Sequence, residues 1–411
     1  MCVVMERKIR RFITIFPWYH GLIADLLFYV AIDTLFLTTV KKFSPAQIVA
    51  LTSFSQVACI ALQFPILFIM KKIGNTYSAR ARGLCILLSA ILITLGKSFY
   101  LVLLGRIFHD IAVIFSNASI VALENNLDLI GRRQDFVKIR TGANTVYSVL
   151  TMLISFVASL MFSLNHYLPM IGCIIACTIG FVLSFYMEDY SKYNRVSYKS
   201  AKGEKTKIHC DKFLIMAIIV YAIYYPIVTT GLSEGKLFIQ QQLFLDFDVD
   251  KTALILGVII CVSRIIRVLS NLWFAKLYDK YRGKMGVVLP VLLCFSVGLI
   301  LFGSFGSPVF VKIVIMSAGY TINLFVIDPF KLYMQDVIFE NTPKEQHQTL
   351  IALLEFGVKI STAGMGLSFA AILTEYAMLV VMAILFIIAS IEIYLSIRLY
   401  QMIMKKRTQI A

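Results

Sequence analysis

The sequence predicts an all-α membrane protein: twelve transmembrane helices arranged as two pseudo-symmetric six-helix bundles. Three observations predict it. The chain of 411 residues is 59% hydrophobic and only 15% charged, whereas soluble proteins are nearer half apolar and a quarter charged. The apolar content comes in long blocks, such as the 28 charge-free residues of Phe43–Met70 and the 47 of Thr141–Met187, and about 20 such residues cross a bilayer. One thoroughly hydrophilic run, Glu188–Lys212, carries seven Lys or Arg and leaves 187 residues before it and 199 after it. The expected organisation is therefore an N-terminal bundle over 1–187, a basic cytoplasmic linker over 188–212 and a C-terminal bundle over 213–411.

Taken in order, span 1 covers about Phe12–Val40 and contains Asp25 and Asp33. Ser44–Pro45–Ala46–Gln47 opens span 2, with Ser as N-cap, Pro at the first helical position and Gln completing a capping box. Span 2 ends near Met70, and the basic loop Lys71–Gly83 leads to span 3, about Gly83–Gly96. Span 4, about Tyr100–Leu123, carries Arg106, His109 and Asp110, and spans 5 and 6 fill Thr141–Met187. Span 7 is about Phe213–Gly231 and span 8 about Thr252–Ala275, with Asp250 as its expected N-cap. Span 9 is about Val287–Gly303, span 10 Val309–Tyr333, span 11 Thr349–Leu373 and span 12 Tyr376–Leu399.

The net charge of +16 raises nucleic-acid binding as a reading, but the distribution argues otherwise. With the N-terminus inside, 29 of the 39 Lys and Arg fall on inner segments, six on outer loops and four within spans. That is the positive-inside pattern of a cell-membrane protein with both termini cytoplasmic, and no nucleic-acid partner is expected. Six of the eight cysteines lie in apolar blocks, where Cys behaves as a small hydrophobe. Cys173 and Cys177 share a helix face without a His or carboxylate beside them, so no metal is expected. The N-terminus lacks a cleavage site for a secretory signal. Asp246–Phe247–Asp248–Val249–Asp250 fails as a calcium loop because Lys251 and Gly257 stand where Gly and Glu are needed. No phosphate-cradling loop, metal-ligand His pair or nucleophile elbow occurs, so neither enzyme nor cofactor is expected.

Internal similarity supports a duplication: Ile154–Leu160 (ISFVASL) in span 5 resembles Leu367–Leu373 (LSFAAIL) in span 11, and basic turns follow spans 2 and 8. Two six-span halves, a basic central loop and short outer loops resemble the major facilitator superfamily over nearly the whole chain. Lys71–Lys72–Ile73–Gly74 resembles that family's loop signature between spans 2 and 3, with Lys71 where the acid belongs. The second-half copy, Asp279–Lys280–Tyr281–Arg282–Gly283–Lys284, keeps the acid. By resemblance, Lys71, Gly74, Asp279 and Gly283 contribute to a cytoplasmic gate. Leu104–Gly105–Arg106 resembles the embedded Arg motif of span 4, with His109–Asp110 replacing its usual Gln-Gly. The Gly-Pro motif of many drug/proton antiporters is absent from span 5.

The resemblance implies a secondary transporter that moves a small-molecule substrate by alternating access, with spans 1, 4, 7 and 10 lining the cavity, protons as the favoured coupling ion and a monomeric chain. The competing class is a non-transporting polytopic membrane protein, a receptor or intramembrane enzyme; short outer loops and the lack of a soluble domain argue against it. An ionisable group within a span costs at least about 2.5–3.5 kcal/mol at mid-helix, so each is a functional candidate. Asp25 and Arg106 reach compatible depths at a rise of 1.5 Å per residue, and are expected to face each other, as a coupling or substrate pair or as a structural ion pair. Asp33 extends the Asp25 face or sits at the interface. Asp110 is placed to neutralise Arg106 at i,i+4, and His109 is a hydrogen-bonding or relay histidine. Arg264 and Arg267 need an acid, from Asp328 or Glu355, or an anionic substrate. Asp328 and Lys331 are expected to snorkel near the inner end of span 10. Tyr221 and Tyr224 form a cavity face or pack internally; Asn323 and Glu355 complete the candidate pathway. The linker, with Tyr190, Tyr193 and Tyr198 among lysines, reads as a strap on membrane lipids with anionic headgroups.

Overall fold

Without water to bond to, a backbone in a bilayer closes its hydrogen bonds within helices. The computed structural model describes residues 3–193, 212–342 and 347–410, and among these residues the chain is helical nearly throughout, with no strand. Twelve α-helices follow in order: α1 (Val3–Ile23), α2 (Leu27–Leu35), α3 (Pro45–Leu95), α4 (Phe99–Ile114), α5 (Ser116–Leu129), α6 (Phe136–Leu164), α7 (Leu168–Ser184), α8 (Lys212–Leu243), α9 (Val249–Gly303), α10 (Val309–Asn341), α11 (His347–Ile372) and α12 (Met378–Ile410). Among the described residues, nine helical segments are long and apolar enough to cross a membrane, and α7 is a shorter apolar helix. Phe64 and Phe68 of α3 are 72% and 71% exposed. Large apolar side chains standing this far out on one helix are what a lipid-facing surface requires.

These helices differ from the expected spans at several places: span 4 divides at Phe115 into α4 and α5, span 7 runs on to Leu243, and spans 8 and 9 join in the single helix α9. The first span is interrupted: α1 stops at Ile23, Ala24–Leu26 is non-helical, α2 resumes at Leu27, and a π-turn, Phe36–Val40, follows. The loop expected over Lys71–Gly83 shrinks to one residue. Gly74, at φ 78° and ψ 173°, joins two helices within α3, a conformation open to Gly because it has no Cβ. Span 8 is capped by Asp248, whose carboxylate accepts the Lys251 N–H at 2.8 Å; Asp250 instead falls in the first turn, where an acid still suits the helix dipole. The capping box at the start of α3 forms as predicted, Gln47 N–H donating to Ser44 Oγ and Ser44 N–H to Gln47 Oε1.

The chain divides into two compact units. The first comprises Met1–Phe43, Phe54–Lys199 and Ala253–Cys261; the second comprises Ser44–Ser53, Ser200–Thr252 and Val262–Ala411. In the first, Ile9, Phe12, Phe16, Tyr19 and Ile23 recur at helical spacing and are fully buried, the stripe of an amphipathic helix. Both α1 and α2 pack on α6 and α7. In the second unit α8 is the hub, packed on α10, α11 and α12. Of the linker, residues 194–211, and with them Tyr198, lie outside the described residues. Tyr190 is buried and departs from the expected surface strap, because its N–H donates to Asn126 Oδ1 at 2.9 Å.

Candidate functional site

The break in the first span organises the site of the first unit. Asp25 lies within it, and its carboxylate accepts the N–H of Leu26 at 2.8 Å. The carbonyl of Ile23, left free by the break, accepts from Arg82 Nη2 at 3.0 Å. A side chain that binds nearby backbone competes with the helix ladder, so Asp25 and Arg82 together hold the interruption open. The other oxygen face of the site is α4. His109 Nε2 stands 3.0 Å from Asp25 Oδ1, and Nδ1 stands 3.4 Å from Asp110 Oδ1. The His109 side chain is 11% exposed and Asp110 18%, so the chain carboxylate–imidazole–carboxylate is largely screened from its surroundings. An imidazolium donates from both nitrogens, which matches two flanking acceptors; a neutral ring matches only one.

The two nitrogens point to opposite sides of the ring. Asp25, His109 and Asp110 therefore do not converge on one point, and among the described residues no group of three His, Cys, Asp or Glu is placed to hold a metal ion. What the arrangement can do is carry a proton at either nitrogen or either carboxylate.

Arg106 does not meet Asp25 directly. It lies one turn from His109, within electrostatic reach of Asp110, Asp25, Asp33 and Tyr29, yet among the described residues it makes no ion pair and its Nε is buried without a partner. Nor does it close the expected i,i+4 pair with Asp110, because the Asp110 carboxylate turns to His109. Asp33 Oδ1 accepts the N–H of Thr34 at 2.6 Å. Three carboxylates against one permanent cation leave this cluster net negative.

In the second unit, Arg267 pairs with Asp328 through two bonds, Nε to Oδ2 at 2.8 Å and Nη2 to Oδ1 at 2.9 Å. This is one of the pairings the sequence allows, and it means Asp328 does not snorkel away. Glu355 lies 3.9 Å from Lys331 Nζ. Arg264 keeps a buried Nε without a partner among the described residues. Tyr221 and Tyr224 are buried; Tyr224 stacks on Phe330 at 3.4 Å between centroids, and Tyr221 stacks on Phe330 and Tyr225. Asn323 is fully buried against Gly231. Of the expected gate, Lys71 is exposed beside the Gly74 turn, while Asp279 and Gly283 lie outside the residues whose side chains are described.

Three residues escaped the sequence reading. Asp189, only 6% exposed, accepts from Asn75 Nδ2 at 2.7 Å, Asn125 Nδ2 at 2.9 Å and both N–H and Oγ–H of Ser191, while its own N–H donates to Thr76 Oγ1. It brings an acid to the Gly74 turn, beside which Lys71 is exposed. Glu392 of α12 is fully buried, bonded to Ser396 Oγ at 3.0 Å with Oε2 unpartnered among the described residues; a lone acid in an apolar run was the available signal. Arg82 is 3% exposed, although its place in a basic run marks it as a loop residue.

No protein-family model matches this chain, and neither does any curated protein. Solved structures do. A variant of the nucleoside transporter NupG is similar over 95% of this chain and 99% of its own, at 11% identity and a TM-score of 0.75; NupG itself gives 0.68 at 12% identity over 98% and 99%. A bacterial homologue of the iron transporter ferroportin, in an inward-facing state, gives 0.67 at 10% identity over 97% and 100%. At such identities the likeness is one of fold: an all-α, multi-spanning fold like that of these transporters.

Proposed function

We propose that the protein is a secondary transporter that moves a small solute across the cell membrane by alternating access and couples the movement to protons at Asp25, His109 and Asp110. The observation that carries this reading is the carboxylate–imidazole–carboxylate chain in the break of the first span. A discontinuous helix frees backbone groups in the bilayer, and such breaks are where transporters place ion and substrate sites. A net-negative cluster with an imidazole between two acids suits a proton. The transporter-like fold supports the wider frame.

In this reading there are twelve crossings. Helix α3 supplies two, hinged at Gly74, α9 supplies two, and α11 completes the set. The halves 1–187 and 213–411, joined by the linker 188–212, provide the alternating access, with both termini cytoplasmic, anionic headgroups as linker partners and the chain monomeric. Asp189 serves the gate with Lys71 and Gly74. Arg106 tunes the acids around it, and Tyr221, Tyr224, Asn323, Arg264, Arg267 and Glu355 complete the pathway from the second unit.

Untargeted metabolite uptake and efflux in membranes with and without the protein, at two pH values, identifies the solute. The same assay on Asp25→Asn and His109→Gln tests the coupling. Both variants should lose uphill transport driven by a pH gradient. Transport by Asp25→Asn with unaltered pH dependence would refute proton coupling at this site.

A further inference from the structure

On the other side of the first-span break lie two arginines and a histidine for which proton coupling has no use. Arg82 reaches Ile23 O with Nη2, but its Nε and Nη1 are buried and unpartnered among the described residues. Tyr19 stands beside the guanidinium, its own hydroxyl donating to Ala79 O at 3.1 Å. His20, one residue on, has a buried Nδ1 without a partner among the described residues. Its ring stacks on Phe16, lies within electrostatic reach of Arg82 and Arg140, and has Asn144 beside it. Arg140 and Asn144 are exposed on α6. The group thus runs from exposed residues, Arg140 and Asn144, past His20, to a buried guanidinium.

Neither Arg82 nor Arg140 has an ion pair among the described residues. Arg82 lies eight residues beyond the Gly74 turn, about 12 Å along the helix. A guanidinium at that depth costs at least about 2.5 kcal/mol unless something compensates it. The Ile23 carbonyl and Tyr19 engage part of its five N–H groups, and neither carbonyl nor phenol is an anion. The unused donors form part of a planar fork that matches two oxygens of a carboxylate or phosphate.

We infer that Arg82, His20 and Arg140 form a binding site for an oxyanion, the carboxylate or phosphate group of the transported solute. This rests on the transporter reading, and it is tested by binding, which needs no transport. The probe is inorganic phosphate, titrated against purified protein in neutral detergent, with chloride at matched ionic strength as control and thermal stability as readout. Wild type should be stabilised saturably in the millimolar range by phosphate beyond chloride. Arg82→Gln should weaken the response at least about tenfold, and Arg140→Gln about two- to fivefold, at 1.4 kcal/mol per factor of ten. If Arg82→Gln does not fold, the double variant His20→Gln/Arg140→Gln must show the loss.

The same titration in micelles containing phosphatidylglycerol separates a solute from a lipid headgroup. Free phosphate that competes with the lipid supports the solute site. Protection by the lipid alone, without competition, overturns it. An unresponsive wild type, or folded variants that respond like wild type, overturns it as well. Loss of proton coupling at Asp25 with phosphate binding intact would defeat the coupling and leave this site standing.

Discussion

Replacing Asp189 by alanine removes the acceptor that ties the start of the linker to the Gly74 turn and to α5. Two of its bonds cross between elements, from the amides of Asn75 and Asn125 at 2.7 and 2.9 Å. Bonds to a charged acceptor contribute about 1.5–3 kcal/mol each. At the lower value for each, the segment loses about 3 kcal/mol of protection against local opening, a factor of roughly 150 at 1.4 kcal/mol per decade. Amide hydrogen exchange on the peptide 187–193 reads this directly, with peptides of α6 as the internal standard. The alanine variant should exchange about two orders of magnitude faster there and equally elsewhere. Asp189→Asn, which keeps one carbonyl oxygen, should fall between. Exchange of 187–193 within about threefold of wild type would show that the network holds nothing in place.

Two further outcomes follow from the second unit. Gly231→Ala sets a Cβ into the Asn323 side-chain amide, an overpacking that costs about 2 kcal/mol and lowers the detergent melting temperature by about 4–8 °C. Gly364→Ala, with nothing within 4 Å, should leave it unchanged, and equal melting of the two variants would discard the packing argument. Arg267 and Asp328, 34% and 30% exposed, should show a coupling of about 1–2 kcal/mol in a double-mutant cycle. Additive losses from Arg267→Gln and Asp328→Asn would mean that the paired geometry contributes no stability of its own.

The membrane class and the capping box at Ser44 were legible because each rests on a local pattern. The neighbourhood of Asp25 and α4 was legible too, since residue counts along a helix give depth. Depth says nothing about rotation around the helix, and that is why Arg106 was chosen as the partner where His109 makes the contact. The break at Ala24–Leu26 left no Gly or Pro signal; it arises from Asp25 and from Arg82, 59 residues away from the carbonyl it binds. Arg82 itself was hidden by its neighbours, because a basic run of this kind reads as a loop, whereas the residues after the one-residue turn at Gly74 are helical and bury it. Asp189 stands at the edge of the hydrophilic stretch, and nothing in its surroundings in sequence tells a buried acceptor from a solvated one.

The interruption of the first span also has a temporal side. His109 follows Asp25 by 84 residues, which at 5–20 residues per second means roughly 4–17 s between the two leaving the ribosome. Through that interval the first helix enters the membrane carrying two aspartates whose neighbours on α4 have not been made. The insertion machinery, or water at the bilayer surface, must shelter those charges until α4 arrives. The order of synthesis therefore leaves the segment of the proposed work waiting for its partners while the chain is still being made.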